Sequence, residues 1–187
     1  MSFKNSLDIS HKIIRETVKI GDTVIDATMG KGGDTLFLAD IVGENGKVYA
    51  FDIQKIALIH TAEKLKIAGL WHRVELILDG HQNIKDHVKT EVSAIMFNLG
   101  YLPGGDHNVF TIAETTKQAI EASLDLIKVG GIISMVVYYG GDSGYEEKSD
   151  VMEFIKSIDN KRFSVLKCSW ENQSNDPPIA VIIEKLK

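Results

Sequence analysis

Two carboxylates, Asp26 and Asp52, flank a turn that carries Gly30, Gly32 and Gly33. Residues 26–53 read DATMGKGGDTLFLADIVGENGKVYAFDI: an apolar run ending in an acid, the glycine turn, a helical pattern, and a second apolar run ending in an acid. This is half of a nucleotide-binding α/β unit. Glycine has no Cβ and tolerates positive φ, so a ligand can approach the main chain at such a turn. The helix start behind it offers unpaired N–H groups. An acid at the next strand end can accept hydrogen bonds from ribose hydroxyls. A turn that only packs a helix on a sheet would use the same glycines, but it would not need the paired acids.

The ligand class follows from what the turn lacks. Dinucleotide folds use G-x-G-x-x-G with an acid roughly 20 residues on, and here the third position holds Thr35. Asp26 precedes Gly30 instead, and Asp-x-x-x-Gly-x-Gly resembles the arrangement of S-adenosylmethionine-dependent methyltransferases. Their ligand has no pyrophosphate but carries an α-amino group, which an acid at the end of the first strand suits, directly or through water. Ala27, Thr28, Lys31, Asp34 and Thr35 complete this candidate cofactor loop. Asp34 and Thr35 can also serve as helix caps, and the two roles are compatible.

Three further strand ends carry polar or glycine-containing turns: Asp52-Ile53-Gln54, Asp79-Gly80-His81-Gln82, and Asn98-Leu99-Gly100-Tyr101-Leu102-Pro103. Asp52 is expected to hold the ribose and Ile53 to cover one adenine face. Asp79 can accept from the adenine amine or cap the short helix that follows, QNIKDHV. His81 can stack on adenine, touch substrate or cap. Asn98 and Tyr101 are the candidate catalytic residues. Methyl transfer to an amine needs an acceptor that orients N–H bonds without strong charge and places the lone pair about 3 Å from the methyl carbon. A carboxamide oxygen meets that need, and Tyr101 can stack on a base or close the pocket. The one cysteine, Cys168, lies in an apolar run near the C-terminus, away from these turns. That disfavours methylation of a pyrimidine ring carbon through a thiol adduct, and no spacing marks a metal site.

Positioning four such turns in one crevice takes a parallel sheet, because ligands in open α/β sheets sit outside the carboxyl ends of the strands. The pattern predicts strands at 24–27, 48–53, 74–78, 92–97, 132–138, 162–170 and 179–185. It predicts helices at 5–19, 34–42, 54–68, 111–127 and 146–157. The alternation implies a Rossmann-like α/β fold with a seven-stranded, mostly parallel sheet and a C-terminal antiparallel hairpin. In the first helix Leu7, Ile13, Ile14 and Val18 mark the inward stripe. In the third, Ile56, Ile59, Ala62, Leu65 and Ile67 do so. His11, Lys12, Arg15 and Lys19 recur at helical spacing, and the balance favours a solvated face over a basic patch.

The 187 residues are expected to form one domain, 1–187, with 44% hydrophobic and 25% charged residues. The formal charge of −5 argues mildly against broad nonspecific nucleic-acid binding. No apolar stretch approaches the roughly 20 residues of a membrane span, no signal segment is visible at the start, and a cytoplasmic location is the expectation.

Six segments carry a more specific resemblance: DATMGKGGDTLFLA, VYAFDIQ, MFNLGYLPGGDH, TIAETTKQAI, GGIISMVVYYG and NQSNDPPIAVIIEK. Together they span almost the whole chain, and it resembles the small bacterial rRNA methylase family, taken as tRNA 5-aminomethyl-2-thiouridine methyltransferases. The resemblance implies S-adenosyl-L-methionine as cofactor, a homodimer, and a tRNA substrate read at the anticodon region, with methylation of the wobble aminomethyl nitrogen. It implies cofactor contacts from Asp26, Gly30, Gly32, Asp52 and Asp79, and substrate contacts from Asn98 and Tyr101. Thr115, Thr116, Asn172, Gln173 and Asn175 match family positions without an assigned role. Relatives commonly carry Asn in place of Lys31 and His in place of Gly141. An rRNA or small-molecule methyltransferase is the alternative, and a nicotinamide-dependent oxidoreductase is a more distant one.

Overall fold

The structure, a computed structural model, describes residues 4–100, 112–138, 144–174 and 176–187, with 144–148 described by backbone alone. Tyr101, Gly141 and Asn175, singled out from the sequence, lie outside these residues.

The chain alternates helices and strands: α1 Ser6–Thr17, β1 Thr23–Asp26, α2 Gly33–Ile41, β2 Lys47–Asp52, α3 Lys55–Ile67 and β3 Val74–Leu78. Then come α4 Ile84–His87, β4 Val92–Leu99, α5 Ala113–Leu126, β5 Ile127–Val137, α6 Gly144–Lys156, β6 Phe163–Cys168 and β7 Ile179–Lys185. The strands form one seven-stranded sheet in the order β3-β2-β1-β4-β5-β7-β6. The first five run parallel, and β7 is antiparallel to both of its neighbours. This is the Rossmann-like α/β fold with a C-terminal antiparallel hairpin that the alternation predicts. The order reverses between β1 and β4, so the loops after these strands diverge and open a crevice at their carboxyl ends.

The central strands read as continuous apolar runs because helices cover both faces. One core packs Ile25, Phe51, Ile95, Phe97, Ile120 and Ile133 on one face, and the other packs Val24, Leu38, Val48, Leu65, Ala94 and Met96. Alternate residues of one strand feed opposite cores, as in Val24 and Ile25 or Ile95 and Met96.

Two expectations for the helices need correction. The inward face of α3 is Ala57, Thr61 and Leu65, whereas Ile56, Ile59 and Ile67 are exposed. Small residues face inward because α3 leans on the glycine turn. A Cβ on Gly32 would stand 2.6 Å from Thr61 Oγ1, and Thr61 Oγ1 donates to the Gly30 carbonyl at 3.3 Å. In α1, Ile14 and Val18 are buried, but Ser6 and Ser10 share their row. Ser10 Oγ bonds Ser134 Oγ of β5 at 2.6 Å. Ser6 Oγ donates to the Pro178 carbonyl and accepts from Trp170 Nε1. Leu7 and Ile13 are only partly buried. The helix is thus fastened to the sheet partly by hydroxyls, which a search for apolar periodicity passes over. Asn5 caps its start by accepting from the Asp8 N–H at 2.8 Å.

Two strands are longer than their apolar runs suggest. β4 continues through Asn98 and Leu99, paired with Val136 and Val137, and β5 starts at Ile127 across Gly130-Gly131, where the register shifts between Val92 and Ala94. Asn98 therefore belongs to a rigid central strand and not to a turn that satisfies its own backbone.

Candidate active site

The crevice holds a pocket of about 570 Å³. Of the candidate residues, Ala27, Thr28, Gly30, Lys31, Asp34, Asp52, Ile53, Gln54, Asp79, Gly80, His81 and Asn98 line it. Asp26, Gly32 and Thr35 stand behind its wall. Asp26 is fully buried at the end of β1. Its Oδ1 accepts from the Thr28 N–H at 3.1 Å and its Oδ2 from Thr35 Oγ1 at 2.6 Å. Asp26 thereby clamps the glycine loop to the first turn of α2. Gly30 and Gly32 have φ of 50° and 77°, conformations that side chains resist. Neither Asp34 nor Thr35 caps α2, whose start is Gly32 with no side-chain cap.

Asp52 closes the loop from the other side. Its Oδ2 accepts from the Gly30 N–H at 2.9 Å and its Oδ1 from the Gln54 N–H at 2.8 Å. A carboxylate has about four lone-pair sites, so room is left for two ribose hydroxyls. Asp79 makes three bonds along its own turn: Oδ1 accepts from the Gly80 N–H and Asn83 Nδ2, and Oδ2 pairs with His87 Nε2 at 2.8 Å. It organises the turn before α4 while still lining the pocket. His81 is buried edge-on against Phe97, with ring centroids 5.8 Å apart.

Burial and neighbouring charge set the protonation of this wall. The Asp26 carboxyl is pushed up to about 7, first by burial and then by the charge of Asp34, against the pull of its bonds from Thr35 and Thr28. Asp52 is raised as well, chiefly by burial. His81 is pushed down to about 4 by burial and stays neutral at physiological pH. Asp79 is held below the usual carboxylate range by its bonds to His87 and Asn83.

The Asp26 shift predicts a measurable linkage. The folded state holds this proton up to about 7, whereas the unfolded chain releases it near 3.8. More protons are bound in the folded state across that window, so the Asp26 contribution is intact below pH 3.8 and is lost as pH rises through about 7. His81 acts oppositely, its contribution falling away as pH drops from 6.5 through about 4. The test is therefore a difference: urea unfolding of wild type and Asp26→Asn between pH 5 and 8. The variant is expected to gain stability relative to wild type as pH rises, and a constant difference would refute the shift.

At the other end of the pocket Asn98 is held twice. Its backbone N–H donates to Thr28 Oγ1 at 2.6 Å, and its Nδ2 approaches Asp34 Oδ2 at 3.4 Å. With the amide nitrogen assigned to the acid, the amide oxygen is left to accept from a ligand. Leu7, Ile112, Thr115 and Tyr138 also line the pocket, and none had a site role read from the sequence. Tyr138 carries a discoverable signal, an aromatic at a strand's carboxyl end. Leu7 does not, since only the fold brings α1 to the crevice. His11 departs from the solvated face that Arg15 and Lys19 keep: its Nε2 lies 2.6 Å from Asp34 Oδ1.

The family model described as "Putative rRNA methylase" matches residues 48–184. The chain belongs to the rRNA methylase family. It is 54% identical to a Clostridium thermocellum protein described as a "putative rRNA-methylase", over 99% of this chain and 100% of that one, with a TM-score of 0.97. It is 42% identical to Streptococcus mutans SMU.1697c, solved in complex with SAH, over 99% and 100% of the two chains, with a TM-score of 0.91. Among curated proteins it is 40% identical to the chloroplastic tRNA (mnm(5)s(2)U34)-methyltransferase of Arabidopsis thaliana, over 81% of this chain. It spans 59% of that relative's length. No helix among the described residues is long and apolar enough to cross a membrane.

Proposed function

We propose that the protein is an S-adenosylmethionine-dependent N-methyltransferase that acts on the aminomethyl nitrogen of 5-aminomethyl-2-thiouridine at the tRNA wobble position. The observation that carries this reading is Asn98: a rigid strand residue at the pocket wall whose amide nitrogen faces a carboxylate, leaving its oxygen for the N–H of an amine. The pocket suits the cofactor. Gly30 and Gly32 bare the main chain, Asp52 keeps lone pairs for a ribose, and Ile53, Phe51 and His81 supply apolar and aromatic surface for a base. When bound, the cofactor supplies an electrophilic methyl group on a sulfonium.

The chain's own residues do the rest. Asn98 aims the lone pair along the C–S axis, and Asp34 lies beside it to receive a proton. Tyr138, exposed just past the end of β5 with its hydroxyl proton held more tightly than usual, offers a ring at the pocket edge. Cys168 is on β6, the outermost strand, with β7 and β5 between it and β4, which favours a nitrogen nucleophile over thiol-dependent ring-carbon chemistry. The relation to the Arabidopsis tRNA enzyme supports RNA as the substrate. A homodimer in the cytoplasm belongs to the same proposal.

The test is incubation of the purified protein with labelled cofactor and total RNA from cells lacking it, followed by nucleoside analysis. Label in 5-methylaminomethyl-2-thiouridine of tRNA is the expected result. Label in an rRNA base, or in a small-molecule fraction alone, would replace this reading with the corresponding alternative.

A further inference from the structure

Asp34 is 8% exposed and lines the pocket, yet one of its oxygens is committed to a residue outside the pocket lining. That residue is His11, on α1, with Nε2 at 2.6 Å from Asp34 Oδ1 and a side chain 29% exposed. The imidazole lies flat on Phe37, with centroids 4.0 Å apart and planes within 7°. Arg15 sits 5.1 Å from the same ring centroid. The ring is thus fixed in plane, with one nitrogen on the acid and enough exposure to exchange protons with water. The other Asp34 oxygen points to Asn98 Nδ2. An unbroken series runs from the pocket to solvent: Asn98, Asp34, His11.

We propose that Asp34 and His11 form a proton outlet for the amine nucleophile, Asp34 taking the proton inside the pocket and His11 passing it to water. The inference rests on the amine reading above. An alkylamine is cationic at neutral pH, with a reference pKa of ~10.4 for Lys, and an ammonium nitrogen has no lone pair to donate. The ammonium N–H breaks toward Asp34, and the proton moves through the imidazole to bulk water. The freed lone pair then forms the N–C bond while the methyl–sulfur bond breaks with its electron pair left on sulfur. The product leaves as a methylated ammonium, and one proton has been exported per turnover. Imidazole suits the outer position because it accepts and releases protons near neutrality.

Among the described residues, the charged and titratable groups around the pair are few. Asp26 and Tyr138 both feel the Asp34 charge, and Asp52 lies beyond Asp26. Arg15 shares the Phe37 ring, and Lys12, next to His11 on α1, pairs with Asp8. Asp34 would be a catalytic residue, and His11 a positioning and relay residue that acts through it. The bland alternative is a pin that only fastens α1 to α2.

The experiment follows kcat against pH for full-length wild type, His11→Ala and His11→Gln. The substrate is tRNA carrying 5-aminomethyl-2-thiouridine, and S-adenosylhomocysteine affinity is measured in parallel by calorimetry. Expected are a deficit of about tenfold near neutral pH, below the ~100-fold or more of a group that itself transfers the proton at the reacting atom because His11 acts through Asp34, that shrinks as pH rises, and affinity within about twofold of wild type. Added imidazoles should restore His11→Ala, faster with stronger bases, and should do nothing in the His11→Ala, Asp34→Asn double variant. A deficit equal at every pH, unresponsive to imidazoles, or matched by weakened S-adenosylhomocysteine binding would overturn the outlet. Wild type inactive on this tRNA would overturn the substrate reading and the outlet with it, whereas an active wild type with a pin-like variant would overturn the outlet alone.

Discussion

Asn98→Ala is expected to lower kcat for methyl transfer about 100-fold while the Kd for S-adenosylhomocysteine stays within about twofold. The asymmetry follows from where Asn98 sits. Its backbone is locked in β4 by pairing with β5 and by the Thr28 hydroxyl, so truncating the side chain leaves the wall in place. What disappears is the acceptor that aims the nucleophile. A misplacement of about 1 Å costs on the order of 100-fold, equivalent to about 2.7 kcal/mol of barrier. Single-turnover transfer to tRNA and calorimetric binding measure the two quantities separately. If affinity declines in step with turnover, Asn98 belongs to the cofactor site and the assigned role is wrong. Asn98→Asp is a useful companion: it keeps an acceptor but sets a second negative charge against Asp34.

Gly32→Ala is expected to destabilise the protein by about 3 kcal/mol and to weaken cofactor binding through the same distortion. Two costs combine. The left-handed φ of 77° penalises any side chain by roughly 1–2 kcal/mol. The new Cβ would also meet Thr61 Oγ1 at 2.6 Å and Cγ2 at 2.8 Å, an overpacking that costs about 1–3 kcal/mol. The contributions can be separated because only the second depends on Thr61. Adding Thr61→Ala to Gly32→Ala should recover the overpacking part in urea unfolding and leave the backbone part. No recovery would mean that the loop relaxes away from α3 and that the close approach does not set the cost. Gly33 is the internal control: it has ordinary φ and nothing within 4 Å of a Cβ, so Gly33→Ala should be mild.

Much of the fold is legible in the residue pattern alone. Period-2 and continuous apolar runs located seven strands, and glycine turns with acids at strand ends located the crevice. Where the structure departs from that pattern, the reasons are local. The isoleucines of α3 do not mark its inward face, because a helix pressed on a glycine loop presents small side chains there, here Ala57 and Thr61. The ends of β4 and β5 ran past their apolar runs because backbone pairing continues through Asn98 and through Gly130-Gly131. The α1 serines give no apolar signal, although both are buried, Ser10 bonded to β5 and Ser6 to the connection between β6 and β7.

That most of the candidate residues meet at one pocket is also legible in the sequence. A glycine turn and an acid at a strand end are local necessities of the ligand's contacts, so residue type and spacing within the one segment 26–53 carry the information. The chain on its own therefore determined an α/β sheet, a bare loop and the row of acids beside it. Tertiary structure alone decided which acids line the pocket and which lie behind it: Asp34 faces the cavity, while Asp26 is sealed beneath it and pushed toward neutrality. It alone also brought His11 to Asp34 and Leu7 to the pocket wall. Desolvation and charge coupling depend on distances through space, and residues 11, 34 and 98 are neighbours only after α1 has packed on the sheet.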